Sequence, residues 1–214
     1  MKNIILYGAP AAGKGTQCEL LVEKFGYVHI SMGQLFRDLD DSTEFNRDIH
    51  EKISKGILID DKATSLLLEQ KLGEIKDKPV VLDGFPRTLN QAKILESFFN
   101  NYIVINIEVE EDVALKRVLG RLTCDKCGKI YNIYSEEMAP KNENLCDNCN
   151  IELSSRSDDN AESFKTRFNI YLNNVKDVLD YYDEKKVLYI VKSCESKEDT
   201  FNSIEKILKE MNIW

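Results

Sequence analysis

The stretch IILYGAPAAGKGT, residues 4–16, passes from an apolar run through a glycine-rich turn into an amphipathic segment. The run Ile4–Tyr7 predicts a short buried strand, and the pattern of Lys14–Lys24 predicts a helix. Between them, Gly8 is followed by four residues and then by Gly13 and a lysine, which is the spacing of a phosphate-binding loop. A strand, a glycine loop and a helix in this order predict a parallel α/β sheet that binds phosphate at one edge.

The chemistry of this loop points to a nucleoside triphosphate. Successive backbone N–H groups at a helix N-terminus form a positive nest for phosphate oxygens, and glycines allow the backbone to approach closely. Lys14 adds a point charge suited to the β and γ phosphates. The general motif has serine or threonine after the lysine, whereas here Gly15 stands there and Thr16 follows. The alternative interpretation is a glycine-rich turn that only caps a helix.

The rest of the chain repeats the alternation of short apolar runs and helical patterns. The fold class is therefore α/β, a P-loop NTPase-type parallel five-stranded sheet flanked by helices. The further strands are predicted at 27–30, 79–82, 103–107 and 187–191. Two stretches interrupt the alternation. Residues 31 to about 60 form a helical excursion, and residues 121–158 form an inserted mini-domain with little helical periodicity.

Three short patterns predict helix starts. Ser31–Gln34, Thr88–Gln91 and Asp159–Glu162 each have the spacing of a capping box, in which a short polar side chain meets an acidic or amide residue three places later. The last of them is predicted to open a long helix that runs to about Tyr182.

Composition and charge limit the classes of partner. The 214 residues carry 29 basic and 37 acidic side chains, a net charge of −8, which argues against bulk binding to nucleic acid or to anionic membranes. Four apolar residues before Gly8 are too few for a signal-peptide core, and no run approaches the roughly 20 apolar residues of a membrane span. We expect a cytoplasmic protein.

A second chemistry-bearing stretch, LDGFPRT at 82–88, follows the third predicted strand. Ligands bind at the carboxyl edge of such sheets. Asp83 can reach a magnesium ion, usually through water, and Arg87 can grip a phosphate with its planar fork. The alternatives are a helix-capping role for Asp83, a surface ion pair for Arg87, and for Gln91 a role limited to the capping box.

Four of the six cysteines are clustered, with the spacing C-x2-C, eighteen residues, C-x2-C. This spacing is typical of a zinc ribbon with a closed, structural site. The predicted ligands are Cys124, Cys127, Cys146 and Cys149. Free or disulfide-bonded thiols are the alternative, which a reducing compartment disfavours. Cys18 and Cys194 have no partner at ligand spacing and are predicted to pack in the core.

The phosphate loop and the 82–88 stretch together resemble the adenylate kinase family of nucleoside monophosphate kinases. The motifs extend over the chain as GAPAAGKGTQ at 8–17, LDGFPRT at 82–88, GR at 120–121 and SRSDD at 155–159. The resemblance implies a core of 1–30, 60–120 and 159–214, an NMP-binding segment at 31–59 and a lid at 121–158, with zinc as in many bacterial members. It also implies the reaction ATP + AMP ⇌ 2 ADP with Mg²⁺, in nucleotide homeostasis and AMP salvage, usually by a monomer.

The resemblance also implies roles for individual residues. The ATP-binding set is Ala11, Ala12, Gly13, Lys14, Gly15, Thr16, Arg117 and Arg121, with Ile130 and Tyr131 of the lid covering the nucleotide. The AMP-binding set is Met32, Arg37, Ile57, Leu58, Ile59, Gly84, Phe85, Pro86, Arg87, Gln91, Arg156 and Arg167, with Gln91 reading the adenine edge. The catalytic set is Lys14, Asp83, Arg87, Arg121, Arg156 and Arg167.

The chain departs from the family pattern at three positions. Met32 stands where the family has threonine beside the AMP base, Gln34 replaces an aspartate, and Ala11 replaces a glycine of the loop. One alternative function is therefore a kinase for UMP, CMP or GMP, which Met32 favours and Gln91 opposes. The other is a nucleic-acid-binding zinc ribbon on an NTPase core, which the acidity and the lack of a basic, aromatic-rich stretch oppose.

Overall fold

The computed structural model describes residues 1–75 and 78–213. Within this part of the chain the strands are β1 (Asn3–Gly8), β2 (Val28–Ser31), β3 (Val80–Asp83), β4 (Tyr102–Glu108), β5 (Arg121–Thr123), β6 (Ile130–Asn132) and β7 (Leu188–Lys192). The helices are α1 (Lys14–Phe25), α2 (Met32–Arg37), α3 (Glu44–Ser54), α4 (Asp61–Gly73), α5 (Leu89–Leu95), α6 (Glu111–Leu119), α7 (Ala161–Glu184) and α8 (Lys197–Glu210). None of these helices has the length and apolar character needed to span a bilayer.

A five-stranded parallel sheet in the order β2-β3-β1-β4-β7 forms the centre, which confirms the predicted fold class. Alternate residues of β1 face opposite sides, because side chains alternate along a strand. Ile5 and Tyr7 enter one apolar cluster with α5 and α7, and Ile4 and Leu6 enter another with α1 and α8. Helices therefore cover both faces of the sheet, and its carboxyl edge stays open.

The helical excursion of residues 31–59 begins with the predicted cap at Ser31, whose hydroxyl accepts a hydrogen bond from the backbone N–H of Gln34. Its end is held against the core by Gly56. At φ 71° this residue adopts a left-handed conformation, and an added Cβ would lie 2.7 Å from the carbonyl oxygen of Ser163. Only glycine permits this close approach between the segment and α7.

The inserted mini-domain is built on the antiparallel pair β5 and β6, in which Leu122 lies opposite Tyr131. A further bridge joins Thr123 to Ser154, and another joins Leu145 to Glu152. The mini-domain's own apolar cluster is small and includes Cys124, Cys146, Tyr131 and Leu153. Its size matches the expectation that a chain segment this short needs a further stabilising element.

Two sequence expectations about the fold are wrong. The long helix is capped by Asn160, which accepts from the N–H of Ser163, rather than by Asp159, because the Asp159 carboxylate is bound by Arg121. Cys194 is half-buried beside the phosphate loop and does not pack in the core, whereas Cys18 is fully buried as predicted.

Candidate active site

The phosphate loop leaves its helix N-terminus uncapped. Gly13, the N-cap of α1, adopts φ 97° and provides no side-chain acceptor for the first N–H groups of the helix. Those donors are therefore available to a phosphate. Ala11, at φ 57°, occupies a left-handed conformation that is unfavourable for a residue with a Cβ, which explains why glycine is the family's residue there.

Lys14 folds back over the loop. Its ammonium group donates to the carbonyl oxygens of Gly8 at 2.9 Å and Ala9 at 2.8 Å. Burial lowers the pKa of Lys14, and the nearby Asp83 carboxylate opposes that change. The lysine is held at the point where the phosphates of a bound nucleotide would meet the loop.

A cavity of about 1190 Å³ opens from the loop across the carboxyl edge of the sheet. Six arginines line it. One of them is Arg117 of α6, and the other five come from α2, the loop after β3, β5, the stretch before α7, and α7 itself. They are Arg37, Arg87, Arg121, Arg156 and Arg167. All five were predicted from the sequence, and the structure brings them together with Lys14.

Two of these arginines are held by carboxylates. Arg121 binds Asp159 at two points, and its Nε lies 2.7 Å from Oδ2. Arg167 donates to the Asp158 carboxylate and to the Asp158 backbone carbonyl, each at 2.7 Å. Both aspartates are almost fully buried, so the pairs are shielded from solvent. Such pairs fix the direction of each guanidinium.

Arg156 is different, because its guanidinium makes no hydrogen bond or ion pair within the part of the chain that the structure describes. Burial, together with the positive charges of Arg121 and Arg37, lowers the pKa of Arg156 to about 10. Arg121 and Arg167 have their own carboxylate partners, whereas the Arg156 guanidinium has none at contact distance, so an anionic ligand would stabilise its charge.

The side of the cavity next to α6 is shaped by Arg117. Its guanidinium donates to the hydroxyl of Ser193 at 2.7 Å and to the backbone carbonyl of Cys194 at 2.8 Å. The half-buried Cys194 thus contributes its backbone to this wall. The arrangement fixes Arg117 beside the phosphate loop, where a donor nucleotide would extend.

The lid residues lie over the loop. The Cδ1 atom of Ile130 is 3.7 Å from the position that a Cβ would take if Gly15 had a side chain, so Ile130 covers the loop. Tyr131, the next residue, points the other way. It is 1% exposed, and its hydroxyl contacts Cys146 and accepts a hydrogen bond from the N–H of Asp147. Of the two residues predicted to cover the nucleotide, Ile130 lines the cavity and Tyr131 does not.

A second lid contact reaches α8. The Glu137 carboxylate accepts from the backbone N–H of Lys197 at 3.2 Å and lies 3.6 Å from its ammonium group. The first residues of a helix favour a negative charge. Asn132 adds a bond from its side-chain amide to the carbonyl oxygen of Arg117. The lid is thus joined to the core on the side of the cavity next to α6.

The acceptor side is lined by the predicted segment 57–59, by Gly84, Pro86 and Arg87, and by Arg37. Arg87 is open to the cavity, yet desolvation by the surrounding protein lowers its pKa, and Asp83 and Asp158 oppose this. Its Nε donates to the carbonyl oxygen of Gly84 at 3.0 Å.

Two residues assigned to the acceptor site, Met32 and Phe85, are 1% exposed and lie in the apolar cluster under the sheet. Their side chains support the site from behind. The substitution of Met32 for the family's threonine therefore lies in the core packing, and the Met32 side chain does not line the cavity.

Asp83 is suited to hold magnesium. It ends β3, and its Oδ2 atom is 4.0 Å from the position of a Cβ on Gly15. Among the described residues its carboxylate has no hydrogen-bond or ion-pair partner. A free carboxylate that faces the phosphate loop is the oxygen ligand that Mg²⁺ prefers, directly or through water.

The four clustered cysteines also fit their predicted metal. Their sulfur atoms lie within 4.8 Å of one another, and those of Cys127 and Cys146 are 3.7 Å apart. Thiolates at about 2.3 Å from a tetrahedral zinc ion are roughly 3.8 Å apart. The two Cys-x2-Cys turns have the same hydrogen-bond pattern. The backbone N–H of Gly128 donates to the carbonyl oxygen of Cys124, and that of Asn150 donates to the carbonyl oxygen of Cys146, each at 2.8 Å.

One thiol of the cluster, Cys146, is favoured to ionise, whereas a hydrogen bond with Cys127 and burial raise the pKa of Cys149 to about 12. Although burial opposes ionisation, hydrogen bonds from Tyr131 and from the backbone of Asn148 and Cys149 lower the pKa of Cys146 to about 6. A thiolate is the form that binds zinc. The cluster could therefore hold zinc, and a site closed by four thiolates would be structural.

A phosphate-binding loop that faces a set of arginines across one cavity defines the class of P-loop phosphotransferases acting on nucleotides. The family model described as "Adenylate kinase" matches residues 6–187. Curated relatives called adenylate kinase are found in three bacteria. The relative from Thermotoga neapolitana is 36% identical over 217 residues, which cover 97% of each chain, and the one from Caldanaerobacter subterraneus subsp. tengcongensis is 38% identical over 214 residues, 96% of each chain. The relative from Listeria monocytogenes serotype 4b is 39% identical over 214 residues, 96% of this chain and 98% of the relative. The chain belongs to the adenylate kinase family. Membership implies transfer of a phosphoryl group from ATP to AMP, giving two ADP.

Several residues of the site were not identified from the sequence. Asp158 and Asp159 lie within the SRSDD motif, yet their ion pairs with arginines were not predicted. Asp61, which binds Gln91, and Glu137, which contacts α8, had no distinguishing pattern. The one available signal was the adjacency of two aspartates to Arg156 in an arginine-rich site.

Proposed function

We propose that this chain transfers a phosphoryl group from ATP to AMP in a Mg²⁺-dependent reaction under a closing lid. In this proposal residues 31–59 bind the monophosphate, residues 121–158 form the lid, and the remainder is the core. The observation that carries it is the convergence of Lys14 and six arginines on one cavity, in a chain whose net charge is −8.

The donor triphosphate binds the N–H groups of residues 11–16, and Lys14 contacts its β and γ phosphates. Arg117, which is fixed by its bonds to the 193–194 loop, offers a planar cation on which a purine base stacks. Ile130 covers the nucleotide from the lid. These contacts orient the γ phosphate toward the centre of the cavity.

The acceptor monophosphate is held by Arg37 and Arg87, with its base near residues 57–59 and Gln91. The attacking group is a phosphate oxygen that is already ionised, so no residue needs to act as a general base. Arg121, Arg156 and Arg167 neutralise the charge on the phosphoryl group as it moves between the two nucleotides. Catalysis then consists of positioning and of charge stabilisation.

Magnesium, when bound, neutralises charge on the donor phosphates, and Asp83 is the residue that would hold it. Lid closure is an established property of adenylate kinases. Here it is supported by the contact of Ile130 with the phosphate loop and by the Glu137–Lys197 pair. A closed lid excludes water, which would otherwise accept the phosphoryl group and hydrolyse ATP. A monomeric state, a cytoplasmic location and a role in AMP salvage stay predictions.

The residue assignment is tested with Lys14→Ala and Arg87→Ala, assayed for ADP formation from ATP and AMP. Each variant is expected to lose at least about a hundredfold in kcat/KM, because each removes a charge that stabilises the transferring phosphoryl group. The matched controls are Lys176→Ala and Arg47→Ala, which remove charges outside the cavity. Activity equal to wild type in Lys14→Ala or Arg87→Ala would refute the assignment.

A further inference from the structure

The side-chain amide of Gln91 is held at both of its polar atoms. Its Nε2 donates to the Oδ1 of Asp61 at 2.8 Å, and its Oε1 accepts from the backbone N–H of Arg87 at 2.7 Å. The residue is 2% exposed, yet it borders the cavity. Asp61 is in the first turn of α4, thirty positions away in the sequence.

These two partners permit one orientation of the amide. A backbone N–H can face only the oxygen, and a carboxylate can face only the N–H group. Rotating the amide by 180° would set oxygen against carboxylate and N–H against N–H. Asn90 donates to the other oxygen of Asp61, so the carboxylate is held as well.

The amide has one N–H and one oxygen lone pair left for a ligand. Their order is fixed, because the amide cannot turn over. Along its Watson–Crick edge adenine presents an amino donor at N6 beside an acceptor at N1, whereas hypoxanthine and guanine present an acceptor at O6 beside a donor at N1. A fixed amide can pair with one of these orders, and a freely rotating amide can pair with either.

We propose that Asp61 is a specificity-determining residue, which selects an adenine-type over a hypoxanthine- or guanine-type acceptor by locking the orientation of Gln91. Asp61 acts through Gln91 and is a positioning residue. The proposal rests on the proposed function in one respect, the binding of the acceptor base beside Gln91.

The test measures kcat/KM for AMP and for IMP, with ATP as donor, in wild type, Asp61→Asn and Asp61→Ala. An asparagine at 61 can offer either an oxygen or an N–H group, so it removes one of the two contacts that oppose the rotated amide and leaves only the N–H of Arg87 to favour the native order. The preference for AMP over IMP is expected to fall about fivefold or more, since one matched pair of bonds discriminates by about 5- to 150-fold. The change should lie in KM for the acceptor, with kcat at saturating AMP and KM for ATP within about twofold of wild type.

Asp60→Asn, at the neighbouring cap position, is the matched control and should keep the wild-type preference. An equal loss toward AMP and IMP in the Asp61 variants, with their ratio unchanged, would overturn the proposal, because it would indicate a structural role only. A readout without activity is the exchange of the Gln91 side-chain amide protons by NMR. They should be protected in wild type and exchange faster in Asp61→Asn, and equal protection would also overturn the proposal. A wild type that makes no ADP from AMP would instead count against the proposed function.

Discussion

Arg121 and Asp159 form a two-point ion pair at the floor of the nucleotide cavity, with the Nε of the arginine 2.7 Å from the Oδ2 of the aspartate. Although burial opposes the charge, Asp159 raises the pKa of Arg121. The carboxylate is 1% exposed, so it acts on the guanidinium with little solvent screening. Asp159 thus fixes the direction of an arginine that, in the proposed reaction, neutralises charge on the transferring phosphoryl group.

Replacing Asp159 with asparagine should therefore lower kcat about ten- to one-hundredfold, because a displaced catalytic group costs rate of this order. KM for ATP and for AMP should change less, since the phosphate loop and Arg87 are untouched. Steady-state kinetics for both substrates measure this split. Asp180→Asn, on the exposed face of α7, is the control. A kcat equal to wild type in Asp159→Asn would contradict the positioning role.

Arg156 is expected to lower the stability of the ligand-free enzyme while it raises kcat/KM. It lies among positive charges and lacks an ion-pair partner among the described residues, so Arg156→Gln removes repulsion from the ligand-free enzyme. We expect a melting temperature higher by about 2–4 °C, which corresponds to roughly 1 kcal/mol, and at least a tenfold loss of kcat/KM. Calorimetry and the ADP assay measure the two effects, with Arg47→Gln as control. A lower melting temperature with full activity would contradict both parts.

Removal of metal from the four-cysteine site should destabilise the lid. Incubation with a strong chelator is expected to lower the melting temperature by at least about 5 °C, because a small core depends on its metal for folding free energy. Cys127→Ser should lose bound zinc, and Cys194→Ser, which is outside the cluster, should retain it. An unchanged melt in the chelator, with metal analysis showing no zinc before treatment, would refute a structural zinc site.

His29 should make the folded state sensitive to acid. Burial lowers the pKa of His29, and its Nε2 is buried with no hydrogen-bond partner among the described residues. An unfolded histidine titrates near about 6.5, so below that pH the unfolded chain binds more protons at this position than the folded one. Stability from the neutral His29 is present above that pH and is lost as the pH falls toward the folded pKa.

The urea midpoint should consequently drop less between pH 7.5 and 5.5 in His29→Gln than in wild type. His50→Gln, which replaces the other histidine of the chain, is the control and should retain the wild-type drop. Equal drops in His29→Gln and wild type would rule out this source of acid sensitivity.

The sheet and its phosphate loop could be predicted because their signals are local. Each strand is a short apolar run, and the spacing from Gly8 to Lys14 describes a single turn. The cysteine site could be predicted for the same reason, since each C-x2-C pair forms a single local turn. Ser31 and Thr88 cap their helices as predicted, because a cap needs only a neighbour three residues away.

The side-chain network could not be predicted, because its partners are distant in sequence. Arg121 and Asp159 are 38 positions apart, and their pairing displaces the expected cap to Asn160. The alternative for Gln91 was a role limited to its own capping box, but its amide oxygen accepts from the backbone N–H of Arg87 and its nitrogen donates to Asp61. Alternation along β6 sends Tyr131 to the cysteines while Ile130 faces the loop, and nothing in the local pattern indicates which of the two residues faces which way.

The most direct test of the central claim is the yield of ADP when the purified, zinc-loaded enzyme is given ATP and Mg²⁺ with AMP, UMP, CMP or GMP in parallel. We expect ADP to form rapidly with AMP, two molecules for each ATP consumed, and at least about tenfold more slowly with the other acceptors. Folded, metal-loaded enzyme that produces no ADP with AMP, or that prefers another monophosphate, would contradict the account.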